Sequence, residues 1–346
     1  MTISPTVSRL SNAGIFLMLM ALYLATDPGN RFESIDGYDY AQAAEIIPLH
    51  LTYDSRSILF HKVNRVIYSA SRELGLALDA YRLIRSLCML SAAGSVLLFA
   101  RLLSVSFGLS TLTAWIAASV LAVSYGFWRF AVEVEVYIPS IFLILLSIFL
   151  LLDGLNRAQW TPVPFLAAGA VGGLACLYYQ GNCIPLCLAA PVLLLSRDHI
   201  RSLVCYGLAG SVTAVGGLLI AYLASESEPL TAKSLLAFLG MRFGEFYASR
   251  SVSATILGSA TAIFHDFISL NWLYALEAFR ALVEPSLPGH HARLEGVAHA
   301  ASRYVPYVYA SFLLVPMILA GVAMATIVAI RHRGVRRLSS RDAFLA

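Results

Sequence analysis

Three groups of polar residues in an otherwise apolar chain have the types and spacing to do chemistry. The first is Asp36-Gly-Tyr-Asp39-Tyr40, shortly after the first apolar segment. A carboxylate there can act as general base toward an acceptor hydroxyl, or Asp36 and Asp39 can hold a divalent cation such as Mg or Mn. Gly37 permits a turn between them, and the plain alternative is a solvated acidic loop shared with Glu33 and Glu45. The second group is Trp128-Arg129-Phe-Ala-Val-Glu133-Val-Glu135-Val-Tyr137, wedged between two apolar segments. Burying an unpaired carboxylate costs several kcal/mol, so Arg129 is expected to pair with at least one of the two glutamates. That leaves a structural ion pair and a site role both open. The third group is the polar, basic stretch from about 225 to 303, where His290-His291 have no obvious third ligand.

A shorter element, Tyr178-Tyr-Gln180-Gly181-Asn182, offers Gln180 and Asn182 as hydrogen-bonding groups for a sugar or a phosphate. Its alternative reading is an aromatic belt at a membrane surface, closed by a glycine turn. Cys88, Cys176, Cys183, Cys187 and Cys205 lie in or beside apolar segments with no His or carboxylate at ligand spacing. They read as small packing residues rather than metal ligands.

Composition decides what must position these groups. Of 346 residues, 59% are hydrophobic and 13% charged, and the mean hydropathy is +0.75. A soluble domain carries about 25% charged residues. The apolar residues run in long uncharged stretches, without the alternating ten-residue segments of a membrane barrel. The fold class is therefore all-α, a polytopic helical membrane protein. The net charge of +4 belongs to cytoplasmic loops rather than to a nucleic-acid partner.

A helix needs about 20 apolar residues to cross the hydrocarbon core. About eight segments qualify: 10–26, 83–103, 107–125, 135–153, 163–180, 182–196, 203–224 and 304–330. The run 14–25 reads as an uncleaved anchor rather than a signal peptide, because its basic flank is weak and Thr26-Asp27-Pro28 is a poor cleavage site. Arg9, Arg101, Arg157, Arg197, Arg201 and the arginines after 331 put both termini inside, leaving outer loops 27–82 and 225–303. Residues 1–330 then form one transmembrane domain, followed by a basic cytoplasmic tail, 331–346.

Within the first outer loop, 54–74 reads as an amphipathic helix capped by Asp54 or Ser55. Leu59, Val63, Val66, Ile67, Ala70 and Leu74 form one stripe, with Arg56, Lys62, Arg65 and Arg72 on other faces. Such a helix lies in the membrane interface with its basic groups among lipid head groups, or packs on neighbouring helices. A second such helix is expected over 235–247, and 251–276 reads as interfacial or re-entrant because it holds His265, Asp266 and Asn271. Gly169 and Gly173 have the small-xxx-small spacing of helix packing.

These motifs resemble the GT-C superfamily of integral membrane glycosyltransferases, in the branch that includes a vertebrate transmembrane O-mannosyltransferase and many bacterial membrane proteins. The resemblance covers roughly 10–195. It rests on Asp36-Gly-Tyr-Asp39-Tyr-Ala-Gln-Ala-Ala, on Trp128 through Glu135-Val-Tyr137, and on the stretch from Gly169 to Asn182. It implies a sugar donor on a polyprenyl phosphate, a protein or glycan acceptor, and a site on the periplasmic face of a bacterial inner membrane. By match, Asp36 or Asp39 is the catalytic base or metal-linked carboxylate and Glu135 supports it. Glu133, Tyr137, Arg129, Gln180 and Asn182 would line the site, with Arg56 and Lys62 near the phosphate. The chain departs from that branch at Pro48-Leu-His50, where a His-Pro-Pro-Gly-like element is usual, and it leaves acceptor recognition to 225–303. The competing readings are a transporter or flippase, which wants charges at mid-membrane, and a non-enzymatic assembly protein.

Overall fold

A computed structural model describes residues 5–26, 35–48, 57–76, 78–157, 159–183, 186, 200–225, 231 and 234. Among the described residues the protein is all-helical, with no strand. The helices are α1 (Pro5–Ala25), α2 (Ile35–Ile46), α3 (Ile58–Glu73), α4 (Ala80–Arg101), α5 (Thr111–Val123), α6 (Tyr125–Ala131), α7 (Tyr137–Asn156), α8 (Val163–Tyr178) and α9 (Ile200–Ser225). The predicted segments 182–196 and 304–330, the helix expected over 235–247, the stretch 251–276 and the tail lie wholly or almost wholly outside these residues.

Three helices are long and apolar enough to cross a membrane: Ala80–Ser106, Tyr137–Asn156 and Ile200–Ala224. At 1.5 Å per residue each covers the roughly 30 Å hydrocarbon core. The chain is thus a membrane protein by the length and composition of these helices. Three further apolar helices are shorter: Asn12–Ala25, Thr111–Val123 and Val163–Tyr178. α5 is shorter than the 107–125 run because Gly108 adopts φ +67 and Ser110 caps the helix, its hydroxyl accepting from Thr113 N at 3.1 Å.

The chain forms two compact units, the first holding 1–98 with 127–263 and the second 99–126 with the residues from 264 onward. In the second, α4 closes in a π turn over Leu102–Ser106 before α5 begins. In the first, α8 is the central element, packed against both α7 and α9. Glycines make the α8–α9 approach close. A Cβ on Gly173 would stand 2.6 Å from the Gly210 carbonyl oxygen, and one on Gly169 would collide with the Tyr206 carbonyl. The small-xxx-small reading of this pair is realised here. Ser147 fastens α7 to α8 by donating to the Ala168 carbonyl at 2.8 Å.

Two expectations about the first outer loop need correcting. α3 starts after an N-cap at Ser57, not at Asp54 or Ser55. Its buried positions are Ile58, Phe60, His61, Asn64 and Ser71, whereas Val66 and Leu74 of the predicted stripe are 52% and 77% exposed. At 100° per residue the predicted stripe and the buried face lie about a third of a turn apart. Polar His61, Asn64 and Ser71 pack inward beside Ile58 and Phe60, while of the predicted stripe Leu59 and Val63 still pack against the core and Val66 and Leu74 face away.

Candidate functional site

The acidic motif after α1 is helical rather than a turn: Asp36 and Asp39 stand in α2. Three residues apart, they share a helix face. Asp39 is exposed and Gly37 buried, and the side chain of Asp36 lies outside the described part of the structure. The aromatic residues of the motif anchor α2. Tyr38 stacks on Tyr81 of α4 at 5.1 Å between ring centroids. Tyr40 sets its ring edgewise to Phe60 at 5.1 Å and to His61 at 5.2 Å.

Both ends of this assembly are capped. Arg65 of α3 donates to the Ala44 carbonyl at 2.6 Å and the Glu45 carbonyl at 2.8 Å. A cation on the last carbonyls of α2 satisfies orphan acceptors and complements the helix dipole. The Glu45 carboxylate in turn accepts from Ala80 N, the first residue of α4, at 3.0 Å. Glu45 is therefore a helix cap and not part of a solvated acidic loop.

The second motif sits in a buried connection. α6 ends at Ala131, residues 132–136 leave helical geometry, and α7 begins at Tyr137 rather than 135. Every residue from 126 to 136 except Phe130 is buried. Arg129 and Glu133 form an ion pair whose side chains are 6% and 3% exposed. Arg129 stands in the last turn of α6 and Glu133 in the non-helical connection just after it, so the pair bridges the end of that helix. Glu133 is thus a structural partner of Arg129. Glu135 is also buried, at 7% exposure, and its carbonyl accepts from the Cys88 thiol of α4 at 3.4 Å. Trp128 ties the segment to the end of α1, its indole N–H donating to Thr26 Oγ1 at 2.7 Å.

The third element closes the same end. Tyr178 meets Phe60 edgewise at 5.6 Å, and Tyr179 meets Tyr137 at 5.3 Å. Asn182 is buried, its amide donating to the Ala175 carbonyl at 2.8 Å and finishing α8. Gln180 is half-buried and Tyr137 is 37% exposed. Lys62 is partly buried, and that burial lowers the pKa of its ammonium group. Arg56 lies outside the described residues.

Packing brings these pieces together. Ala41 and Ala44 of α2, Phe60 of α3, Tyr81 of α4, Val134 of the buried connection and Tyr178 of α8 share one apolar cluster. The end of α9 joins nearby, with Ala221 against Ile58 and Leu177. So the end of α8, the beginnings of α4 and α7 and the end of α9 meet at one end of this unit, with α2 and α3 packed there. The 225–303 stretch starts where α9 ends, and beyond its first residues it lies outside the described part.

The arrangement supplies an exposed carboxylate on α2, Asp39, a buried ion pair and a wall of aromatic rings. Such a set can take a proton from a hydroxyl, bind an anion and seat a ring-shaped ligand. Among the described residues no three His, Cys, Asp or Glu side chains are grouped to hold a metal ion. Sequence reasoning missed the inward-facing His61 and Asn64, because the apolar stripe beside them looked like the packing face. Compared with known proteins, the chain matches no protein-family model and no curated protein.

Proposed function

We propose that this protein is an integral membrane glycosyltransferase of GT-C type. In this reading it has eight spans, with its site on the outer face, and moves a sugar from a polyprenyl-phosphate donor to a protein or glycan acceptor. The observation that carries the reading is the meeting of α2, the 128–137 segment and the 178–182 turn in one apolar cluster. A lipid-linked sugar cannot leave the bilayer, so its transferase needs acid–base groups at the membrane surface, which is where residues next to the start of two spanning helices belong.

In the proposed step, Asp36 or Asp39 accepts the proton of the acceptor hydroxyl. The hydroxyl oxygen forms a bond to the anomeric carbon while the bond from that carbon to the phosphate oxygen breaks. The polyprenyl phosphate leaves with the bonding electrons, and Lys62 or another basic group offsets its charge. Glu135, held in the buried connection, orients the site. A divalent cation such as Mg or Mn, if bound by Asp36 and Asp39, would supply further neutralisation of the phosphate.

The test is to profile glycans and lipid-linked sugars in a deletion strain and in one carrying Asp36→Asn. Accumulated donor and a missing product in both supports transfer. A buried ion pair in a membrane chain also favours a transporter or flippase as second reading. That reading predicts a substrate stranded on one side of the membrane, with its chemistry unchanged. An assembly protein predicts no missing product in the Asp36→Asn strain.

A further inference from the structure

The inner face of α3 carries polar residues beside Ile58 and Phe60, where burial alone would select apolar ones. Ser57, His61, Asn64 and Ser71 are all buried there. Ser71 is satisfied locally, its hydroxyl donating to the Tyr68 carbonyl at 2.7 Å. Asn64 differs. It is 2% exposed, and neither its Oδ1 nor its Nδ2 has a hydrogen-bond partner. A buried amide in that state forfeits hydrogen bonds it makes to water in the unfolded chain, and an apolar residue of similar volume would remove the cost.

What completes such an amide must donate and accept side by side. Phosphate and carboxylate only accept, and ammonium only donates. Neighbouring hydroxyl groups do both. The surroundings point the same way. Phe60 and His61 lie one turn back on α3, and the Tyr40 ring stands 5.1 Å from Phe60 and 5.2 Å from His61. Aromatic rings beside a neutral hydrogen-bonding group suit a sugar ring, which has apolar C–H faces and hydroxyl edges. Tyr40 also directly follows Asp39 on α2, which places this wall beside the proposed base.

We propose that Asn64, with His61 beside it, hydrogen-bonds the hydroxyls of the transferred sugar against the wall formed by Tyr40 and Phe60. This rests on the glycosyltransferase reading and assigns the residues that recognise its sugar. Asn64 is closed off from solvent, so binding entails a displacement of α3 from the helices it packs on. Gly75, at φ +73, follows α3 in a turn that can absorb that displacement.

The test uses the full chain in lipid nanodiscs and two probes: a short-chain prenyl phosphate carrying mannose or glucose, and the same prenyl phosphate without sugar. In the wild type the glycosylated probe binds more tightly than the bare one. Asn64→Leu should raise the melting temperature without probe, weaken the glycosylated probe about tenfold and leave the bare phosphate unchanged. Asn64→Ala repeats the binding measurement should the leucine variant fail to fold. A lower melting temperature in Asn64→Leu without probe, or unchanged sugar discrimination in either variant, overturns the assignment, the latter being the result for an amide satisfied by buried water. If neither probe binds the wild type, the donor reading fails and takes this assignment with it. If both bind and the variants discriminate normally, only the assignment fails.

Discussion

Neutralising Glu133 should unfold this protein far more readily than neutralising Glu135, although the two are near neighbours of the same charge. Arg129 and Glu133 are paired with side chains 6% and 3% exposed, so Glu133→Gln leaves a guanidinium charge in a place water does not reach. Breaking a buried pair from one side costs about 3–5 kcal/mol. At about 2–4 °C per kcal/mol, that corresponds to a fall of roughly 6–20 °C in melting temperature. Glu135→Gln leaves Glu133 in place to hold Arg129, so it should cost less stability than Glu133→Gln while turnover falls. The assay is a double-mutant cycle over Arg129→Gln and Glu133→Gln, followed by thermal melting in nanodiscs. The double variant should be more stable than the two single losses summed, by on the order of 2 kcal/mol. Additive losses, or a Glu135→Gln variant less stable than Glu133→Gln, would refute the assignment of the pair.

Three other outcomes follow from the packing. Gly173→Ala places a Cβ 2.6 Å from the Gly210 carbonyl oxygen and should cost about 1–3 kcal/mol by forcing α8 and α9 apart. Gly207→Ala in α9 meets nothing within 4 Å and should be neutral or slightly stabilising by helix propensity; melting temperatures of the two variants check both. Asn182→Ala removes the hydrogen bond to Ala175 and should cost about 1 kcal/mol without selectively weakening donor binding, which a probe titration alongside melting would show.

Long apolar runs were readable because bilayer thickness leaves them little freedom. The predicted 83–103, 135–153 and 203–224 correspond to α4, α7 and α9 within a few residues. The cost of burying an unpaired charge likewise signalled that Arg129 pairs with a glutamate, and it pairs with Glu133. The orientation of α3 was not readable, because the rule that apolar residues face inward assumes water outside. A membrane offers the apolar side of a helix a second place to go, and α3 turns Val66 and Leu74 away from the protein. Asp36-Gly-Tyr-Asp39 suggested a turn because glycine disfavours helices. Arg65 on its last carbonyls and the apolar contacts of Ala41 and Ala44 outweigh that local preference.

The most direct test of the central claim measures transfer itself. The purified chain is reconstituted in proteoliposomes with a radiolabelled polyprenyl-phosphate hexose and a membrane-protein acceptor fraction from the deletion strain. The wild type should move label from the lipid to the acceptor fraction. The double variant Asp36→Asn with Asp39→Asn should bind the donor, remain folded and transfer nothing. Transfer at the wild-type rate by that variant would contradict the account.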